Sequence, residues 1–234
     1  MLGLPALAWG AGGGGGVGLA SGSSGADTSI PTAQPGNQTV TASGDGIRIS
    51  SHASALLNNG LRISGNAPRS DAGRTVEIER WGAKTHWTWR PTAQAPVASD
   101  GSFTAVWRTN HIGRFAVRAV ISRPGAASAS AGLPSVNVTV YLPAVATLYG
   151  PGFYGRRTAC GVLLRRTTVG VAHRWLPCGT PVAIYYEGRT LVVPVIDRGP
   201  YANGANWDLT IAAGKALEMQ GTAGIGAVSL PRAG

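Results

Sequence analysis

Four carboxylates fall in residues 144–234 of this chain: Glu187, Asp197, Asp208 and Glu218. Asp197 closes the apolar run Leu191–Ile196 and opens the turn Arg198-Gly199-Pro200-Tyr201. A carboxyl at the end of an apolar strand is disfavoured in its charged form. Its pKa therefore rises, which suits a group that must give and then take a proton. An Asx residue capping a turn has the same sequence signature. Asp208 precedes a short helical pattern, where it can orient a neighbouring acid or simply favour a helix N-terminus. Glu187 sits in a hairpin turn and Glu218 late on the helix, and both read as solvated surface residues. The only cysteines, Cys160 and Cys178, bracket His173. Two thiols and one imidazole fall short of a four-ligand zinc site, and there is no Cys-x-x-Cys pair. Neither a metal nor a cofactor is expected. A disulfide is the preferred reading over two buried free thiols. It would contribute roughly 3 kcal/mol through the unfolded state and implies an oxidising compartment. A lone His in an apolar strand is structural by default.

The elements that must hold these groups are mostly strands. In residues 144–234, strands are predicted over Ala146–Tyr149, Val169–Ala172, Val182–Tyr186, Leu191–Ile196 and Ala227–Leu230. Glu187-Gly188 reads as a hairpin turn. One helix fits Ile211–Met219, with Thr210 as N-cap and Gly221 just past its end. Residues 48–143 alternate with period two. Val76 and Ile78 alternate with Glu77 and Glu79, Phe103, Ala105 and Trp107 with Thr104 and Arg108, and Phe115 to Ile121 with Arg118. Val136 to Leu142 follow the same rule. Turns are predicted at Asn58-Asn59-Gly60, Asp71-Ala72-Gly73, Asp100-Gly101 and Arg123-Pro124-Gly125. Short, evenly spaced strands suggest an Ig-like β-sandwich without the antibody cysteine pair. Within it, Trp87 and Trp89 are two apart and share a strand face, near Trp81. A sugar-stacking platform and a buried sandwich core both fit, and core is the expected state. His86 is expected at the surface.

Residues 1–47 carry Asp27 and Asp45, no Lys or Arg, and a Gly12–Gly16 run. They read as a disordered Gly/Ser-rich tail or the remnant of a signal region. Leu2–Ala20 is apolar but broken by Pro5 and glycines. No cysteine lies near the start, so lipidation is not expected. The whole chain of 234 residues has 20 Lys+Arg against 10 Asp+Glu, a net charge of +10. All but Lys84 and Lys215 of the basic residues are arginine, a bias typical of a GC-rich coding sequence. The 44% hydrophobic content supports a core and argues against wholesale disorder. No apolar run approaches the ~20 residues of a membrane span. The arginines are dispersed among acids with no basic stripe, so nucleic acid is not expected as a partner.

Residues 144–234 resemble the rare-lipoprotein-A (RlpA) family in six ordered blocks. These are Tyr149-Gly150 with Phe153-Tyr154-Gly155, Thr158-Ala159, Ala172-His173, and Leu176-Pro177 with Gly179-Thr180. Asp197-Arg198-Gly199-Pro200-Tyr201 and Asp208-Leu209-Thr210 complete them. The resemblance is to the actinobacterial type, is distantly expansin-like, and covers only this part. It implies a C-terminal six-stranded double-psi β-barrel with one short helix, following the sandwich. It also implies a secreted or cell-wall-associated, extracytoplasmic lyase: a lytic transglycosylase cutting the MurNAc–GlcNAc β-1,4 bond of peptidoglycan to leave 1,6-anhydro ends.

Such an enzyme can work with one carboxyl, because the sugar's own C6 hydroxyl is the nucleophile, whereas an ordinary glycosidase needs two. Asp197 matches the family's catalytic Asp, Asp208 a recurrent family Asp, and His173 the family His, which would position substrate or tune Asp197. Tyr149, Tyr154, Arg198 and Tyr201 are the candidates for stacking on and hydrogen-bonding to sugar. The implied partners are peptidoglycan glycan strands and anionic wall polymers, the latter favoured by the basic charge. The sequence departs from the family where a Glu usually follows the Ala-x-Gly step, since Val162 stands there. That leaves a second reading, a non-catalytic expansin-like module that binds glycan and loosens the wall.

Overall fold

The computed structural model describes residues 32–122, 132–201 and 204–231. The expected tail up to residue 31 and the expected Arg123-Pro124-Gly125 turn lie outside the described residues. Among the described residues the regular elements are mostly strands. In order these are β1 (Gln34–Pro35), β2 (Thr39–Gly44), β3 (Ile47–His52), β4 (Ser54–Leu56), β5 (Gly60–Asn66), β6 (Thr75–Trp81), β7 (Arg90–Pro96) and β8 (Ser102–Arg108). Then come β9 (Gly113–Ile121), β10 (Ser135–Tyr149), β11 (Val171–Ala172), β12 (Pro181–Tyr186), β13 (Arg189–Asp197), β14 (Trp207–Thr210) and β15 (Ala223–Ser229), with the one α-helix of the described residues, α1 (Ile211–Ala216), between the last two.

The first half is a two-sheet sandwich. One sheet runs β2-β3-β5-β8, and the facing sheet runs β10-β9-β6-β7 with β4 on the other side of β10. The period-two pattern places its apolar members between the sheets: Val76, Ile78, Phe103, Trp107, Phe115 and Val117 are all buried. Trp107 is the core tryptophan, meeting Phe115 edge-on at 5.4 Å. Trp81, Trp87 and Trp89 are not core. Trp81 ends β6 on its outward face, and the other two lie in the β6–β7 connection, where Trp87 is 57% exposed.

The second half is a closed six-stranded barrel. Its strands run β14-β11-β13-β12-β15-β10, and parallel pairing of β10 with β14 closes it. Val182, Ile184, Val193, Val195 and Leu209 fill it, and α1 with the residue that follows it covers one end through Ala213 and Leu217. Thr210 caps α1 as expected, its Oγ1 accepting from the Ala213 N–H.

Beyond shifted ends at β11, β13 and β15 and the unexpected strand β14, three boundaries differ from the sequence reading. First, the strands expected at Val136–Leu142 and Ala146–Tyr149 are the single strand β10. It pairs with β9 up to Val140 and with β15 from Leu142, so Pro143 sits where the strand changes sheets and interrupts nothing. Second, residues 34–44, expected in the tail, form β1 and β2. Val40 and Ala42 alternate toward the sandwich core, a weak period-two signal masked by the small and polar residues around it. Third, α1 ends at Ala216, and Glu218 turns left-handed with φ 59°.

Candidate active site

The barrel brings the ends of four strands together in the register β13-β11-β14-β10. Ala172 of β11 pairs with Asp197 on one side and Asp208 on the other. Asp208 in turn pairs with Thr147 of β10, two residues before Tyr149. Residues 61 positions apart in the chain thus become neighbours because the sheet closes on itself.

Asp197 is held by two backbone donors. Its Oδ1 accepts from the Ala159 N–H at 2.9 Å and from the Arg198 N–H at 2.8 Å. It caps its own turn, as an Asx residue does, and also anchors a second loop. Asp208 Oδ1 accepts from the Thr147 hydroxyl at 2.9 Å. Burial pushes the Asp208 carboxyl above the ordinary carboxylate range and the Asp197 charge adds to this, while the Thr147 bond opposes it. The Tyr149 hydroxyl is buried and has no hydrogen-bond partner among the described residues. Burial first, then the charges of Asp197 and Asp208, push its ionisation well above the usual phenol value. The strand register thus sets the Tyr149 phenol and the two carboxyls at the same end of the barrel. An orphaned buried hydroxyl of this kind is uncomfortable until a ligand or water completes it.

The remaining expected site residues brace the loops around this space. His173 Nδ1 accepts from the N–H groups of Trp175 (3.2 Å) and Leu176 (3.0 Å), which places the ring proton of the neutral form on Nε2. Burial, then Arg198 and Arg174, lower the His173 pKa, which favours the neutral ring. It packs against Trp207 at 4.4 Å, and its described link to Asp197 is from its backbone N–H to the Asp197 carbonyl. Arg198 also serves the loop: Nη1 donates to the Leu176 carbonyl at 3.0 Å and Nη2 lies 3.3 Å from Cys178 Sγ. Cys160 and Cys178 form the expected disulfide, with Cα atoms 5.7 Å apart. The bridge fastens the loop that offers Ala159 to Asp197. Val162, where the resembling family has Glu, lies partly exposed on this loop, its N–H donating to Thr158 Oγ1.

Tyr154 is half-buried beside Gly150, where a Cβ would come within 2.8 Å of the Tyr154 hydroxyl and of Ile211. Only glycine permits that approach. Tyr201 is exposed (78%). Sequence reasoning passed over three residues. Phe153 is 53% exposed and 6.2 Å from the Tyr149 ring, and Trp175 is 83% exposed. Arg174 ties these loops together, its Nε donating to the Pro200 carbonyl at 2.5 Å and its Nη2 to the Ala205 carbonyl at 3.1 Å. Exposed rings in the connections after β10, β11 and β13 are the signal that was available. Among the described residues no set of three or more His, Cys, Asp and Glu could hold a metal ion.

Residues 144–230 match the family described as "Lytic transglycolase". Part of the chain is 42% identical over 81 residues to the probable endolytic peptidoglycan transglycosylase RlpA of Aquifex aeolicus, covering 34% of this chain and 36% of that protein. It is 41% identical over 88 residues to the protein of the same name from Synechocystis sp., covering 37% of this chain and 27% of that one. It is 34% identical over 77 residues to the endolytic peptidoglycan transglycosylase RlpA of Campylobacter jejuni, covering 32% of this chain and 28% of that one. The chain thus spans about a quarter to a third of the length of these relatives. Its C-terminal part is an RlpA-like double-psi β-barrel. Among the described residues no helix is long and apolar enough to cross a membrane.

Proposed function

We propose that the barrel is a lytic transglycosylase acting on peptidoglycan glycan strands outside the cytoplasm. The observation that carries this reading is the grouping of Asp197, Asp208 and the unpartnered Tyr149 hydroxyl at one end of an RlpA-like barrel. Both donors to Asp197 fall on Oδ1, which fixes the carboxyl plane and leaves Oδ2 for proton transfer. Asp197 protonates the glycosidic oxygen as the bond from C1 of the muramyl residue breaks. It then accepts the proton of that residue's C6 hydroxyl as the oxygen closes on C1. One bond breaks, one forms, no water is consumed, and the carboxyl ends as it began. Asp208, gripped by Thr147, and the Tyr149 hydroxyl orient the sugar, while Phe153, Trp175 and Tyr201 offer rings for it to stack on. The disulfide and the naming of the relatives support an extracytoplasmic site of action. The net positive charge favours retention on anionic wall polymers.

Val162 supports a second reading. A half-exposed valine in place of the family acid leaves Asp197 without a second carboxylate on that loop, as suits an expansin-like module that binds glycan without cutting it. Digestion of purified glycan strands, intact and stripped of stem peptides, followed by mass spectrometry, separates the two. Anhydromuramyl products that vanish with Asp197→Asn establish turnover. Binding with no release from either substrate establishes the module.

A further inference from the structure

The second place on this molecule with the chemistry of a saccharide site is the outer face of the sandwich. Trp81 and Trp87 lie with ring centroids 4.6 Å apart at 59°, and Trp89 lies 6.5 Å from Trp81. The Arg118 guanidinium stacks 4.1 Å from the Trp89 ring centre and is itself fixed by a 2.6 Å bond from Nε to Glu79 Oε2. The Arg118 and Glu79 side chains are only 13% and 14% exposed, so the pair braces the half-buried Trp81 and Trp89 from beneath, and Trp87 presents the exposed ring face that pyranose recognition needs.

The backbone is built to display this surface. His86 and Trp87 are consecutive non-glycine residues with positive φ, 52° and 57°. Such conformations persist only where their surroundings enforce them. The buried Thr85 does so: its hydroxyl both accepts from the Gly82 N–H and donates to the Gly82 carbonyl, and Thr88 Oγ1 closes on the Thr85 carbonyl at 2.6 Å. Gly82 is in turn locked in place, since a Cβ there would lie 2.7 Å from the Arg114 carbonyl. The result is a rigid turn whose purpose is not core packing, because Trp87 is left 57% exposed. The turn also has one sign of charge. Lys84 and Arg90 punctuate it and no acid falls between Trp81 and Arg90. That complements a glycan carrying carboxylates.

We infer that Trp81, Trp87 and Trp89, braced by Arg118 and Glu79, form a second glycan-binding surface on the sandwich, taking an N-acetylated, carboxylate-bearing glycan strand. The choice of that glycan rests on the reading of the barrel given above, whereas the surface itself does not. Its role is to hold the strand while the barrel works on another part of it.

The test uses the full chain carrying Asp197→Asn, so that turnover plays no part. Indole N–H signals are followed by NMR as peptide-stripped glycan strands are added, with N-acetylglucosamine hexamer and a single-stranded oligonucleotide as comparators. The Trp87 and Trp89 signals should shift with glycan. Trp87→Ala should weaken retention on purified sacculi about tenfold, the loss of roughly one ring contact, while Trp87→Phe keeps most of it. In the otherwise unaltered chain, Trp87→Ala should leave release of anhydro products from short soluble strands as it was. The proposal fails if glycan moves only the Trp175 and Trp207 signals, if Trp87→Ala and Trp89→Ala are both retained like their parent, or if the oligonucleotide displaces glycan from the Trp87 signal. Absence of anhydro products would sink the barrel reading and leave these binding outcomes as legible as before.

Discussion

Asp208 carries a cost that can be measured. Burial and the neighbouring Asp197 raise its pKa in the folded chain. The native protein therefore keeps this proton at pH values where the unfolded chain has lost it. Below the unfolded carboxylate range, near pH 3.9, both states hold the proton and the site makes no difference. As the pH climbs from there through the raised native value, unfolding is increasingly favoured, and the deficit is complete once native Asp208 is ionised. Asp208→Asn retains an acceptor for Thr147 and removes the titration. The variant should be more stable than the parent at neutral pH, with the advantage shrinking toward zero at about pH 3. Denaturant unfolding across that range is the measurement, and an advantage that is flat with pH, or greatest in acid, contradicts it. At this scale the sequence was partly legible. Asp197, Asp208 and the cysteine pair were visible as chemistry. The work of His173 and Arg198 was not, because both spend their polar atoms on backbone groups of loops, and nothing in a side chain's identity announces which amide or carbonyl it will meet. The exposed tryptophans misled for a related reason: period two between Trp87 and Trp89 suggested a strand, but left-handed turns at His86 and Trp87 break it.

At the scale of elements, the disulfide decides more than stability. It joins residues 18 apart and fastens the Thr158–Gly161 loop to the segment leading into β12. Ala159, one residue from the bridge, donates to Asp197 Oδ1. Reduction should lower the unfolding free energy by roughly 3 kcal/mol, as expected for a loop of this size. It should also reduce anhydro-product release under conditions where the protein is still folded, because the Ala159 N–H no longer orients the acid. Urea unfolding and product release, each with and without reductant, give both numbers. Full turnover in a reduced, folded protein would detach the bridge from the site. Element types were well legible, since alternation marks β6, β8, β9 and β10 directly. Their ends were not. The barrel segment of β10 and its sandwich segment looked like two strands because Pro143 lies between them, and only the exchange of partners from β9 to β15 shows why a proline is tolerated there.

The whole molecule is tied across its middle twice. Strand β10 runs through both halves, and the chain crosses again between β1 and β2. Gln34 and Pro35 pair with Thr190 and Arg189 at the β13 edge of the barrel, while Thr39 begins the outer strand of the sandwich. Between them the Gly36 N–H donates to the Gly188 carbonyl at 2.5 Å, and Asn37 Oδ1 accepts from the Tyr185 hydroxyl. Tyr141, Tyr185, Val228 and Leu230 fill the joint, with Leu56 and Ile112 from the sandwich side. Composition alone hid this, because all of residues 1–47 read as a Gly/Ser-rich tail. Gly36 is the vulnerable point: a Cβ there would lie 2.7 Å from Thr190 Cγ2 and 2.9 Å from the Tyr185 ring. Gly36→Val should displace the strap at a cost of about 1–3 kcal/mol, the usual range for overpacking. The parent should unfold in one transition, and the variant in two, as barrel and sandwich lose one of their ties. If the barrel and the tryptophan face hold one strand together, the variant should also be retained less well on sacculi, since the second contact depends on a fixed spacing. Its release of products from short soluble strands should be preserved. A single, unshifted unfolding transition with unchanged retention would mean that β10 and the joint fix the two halves without the strap.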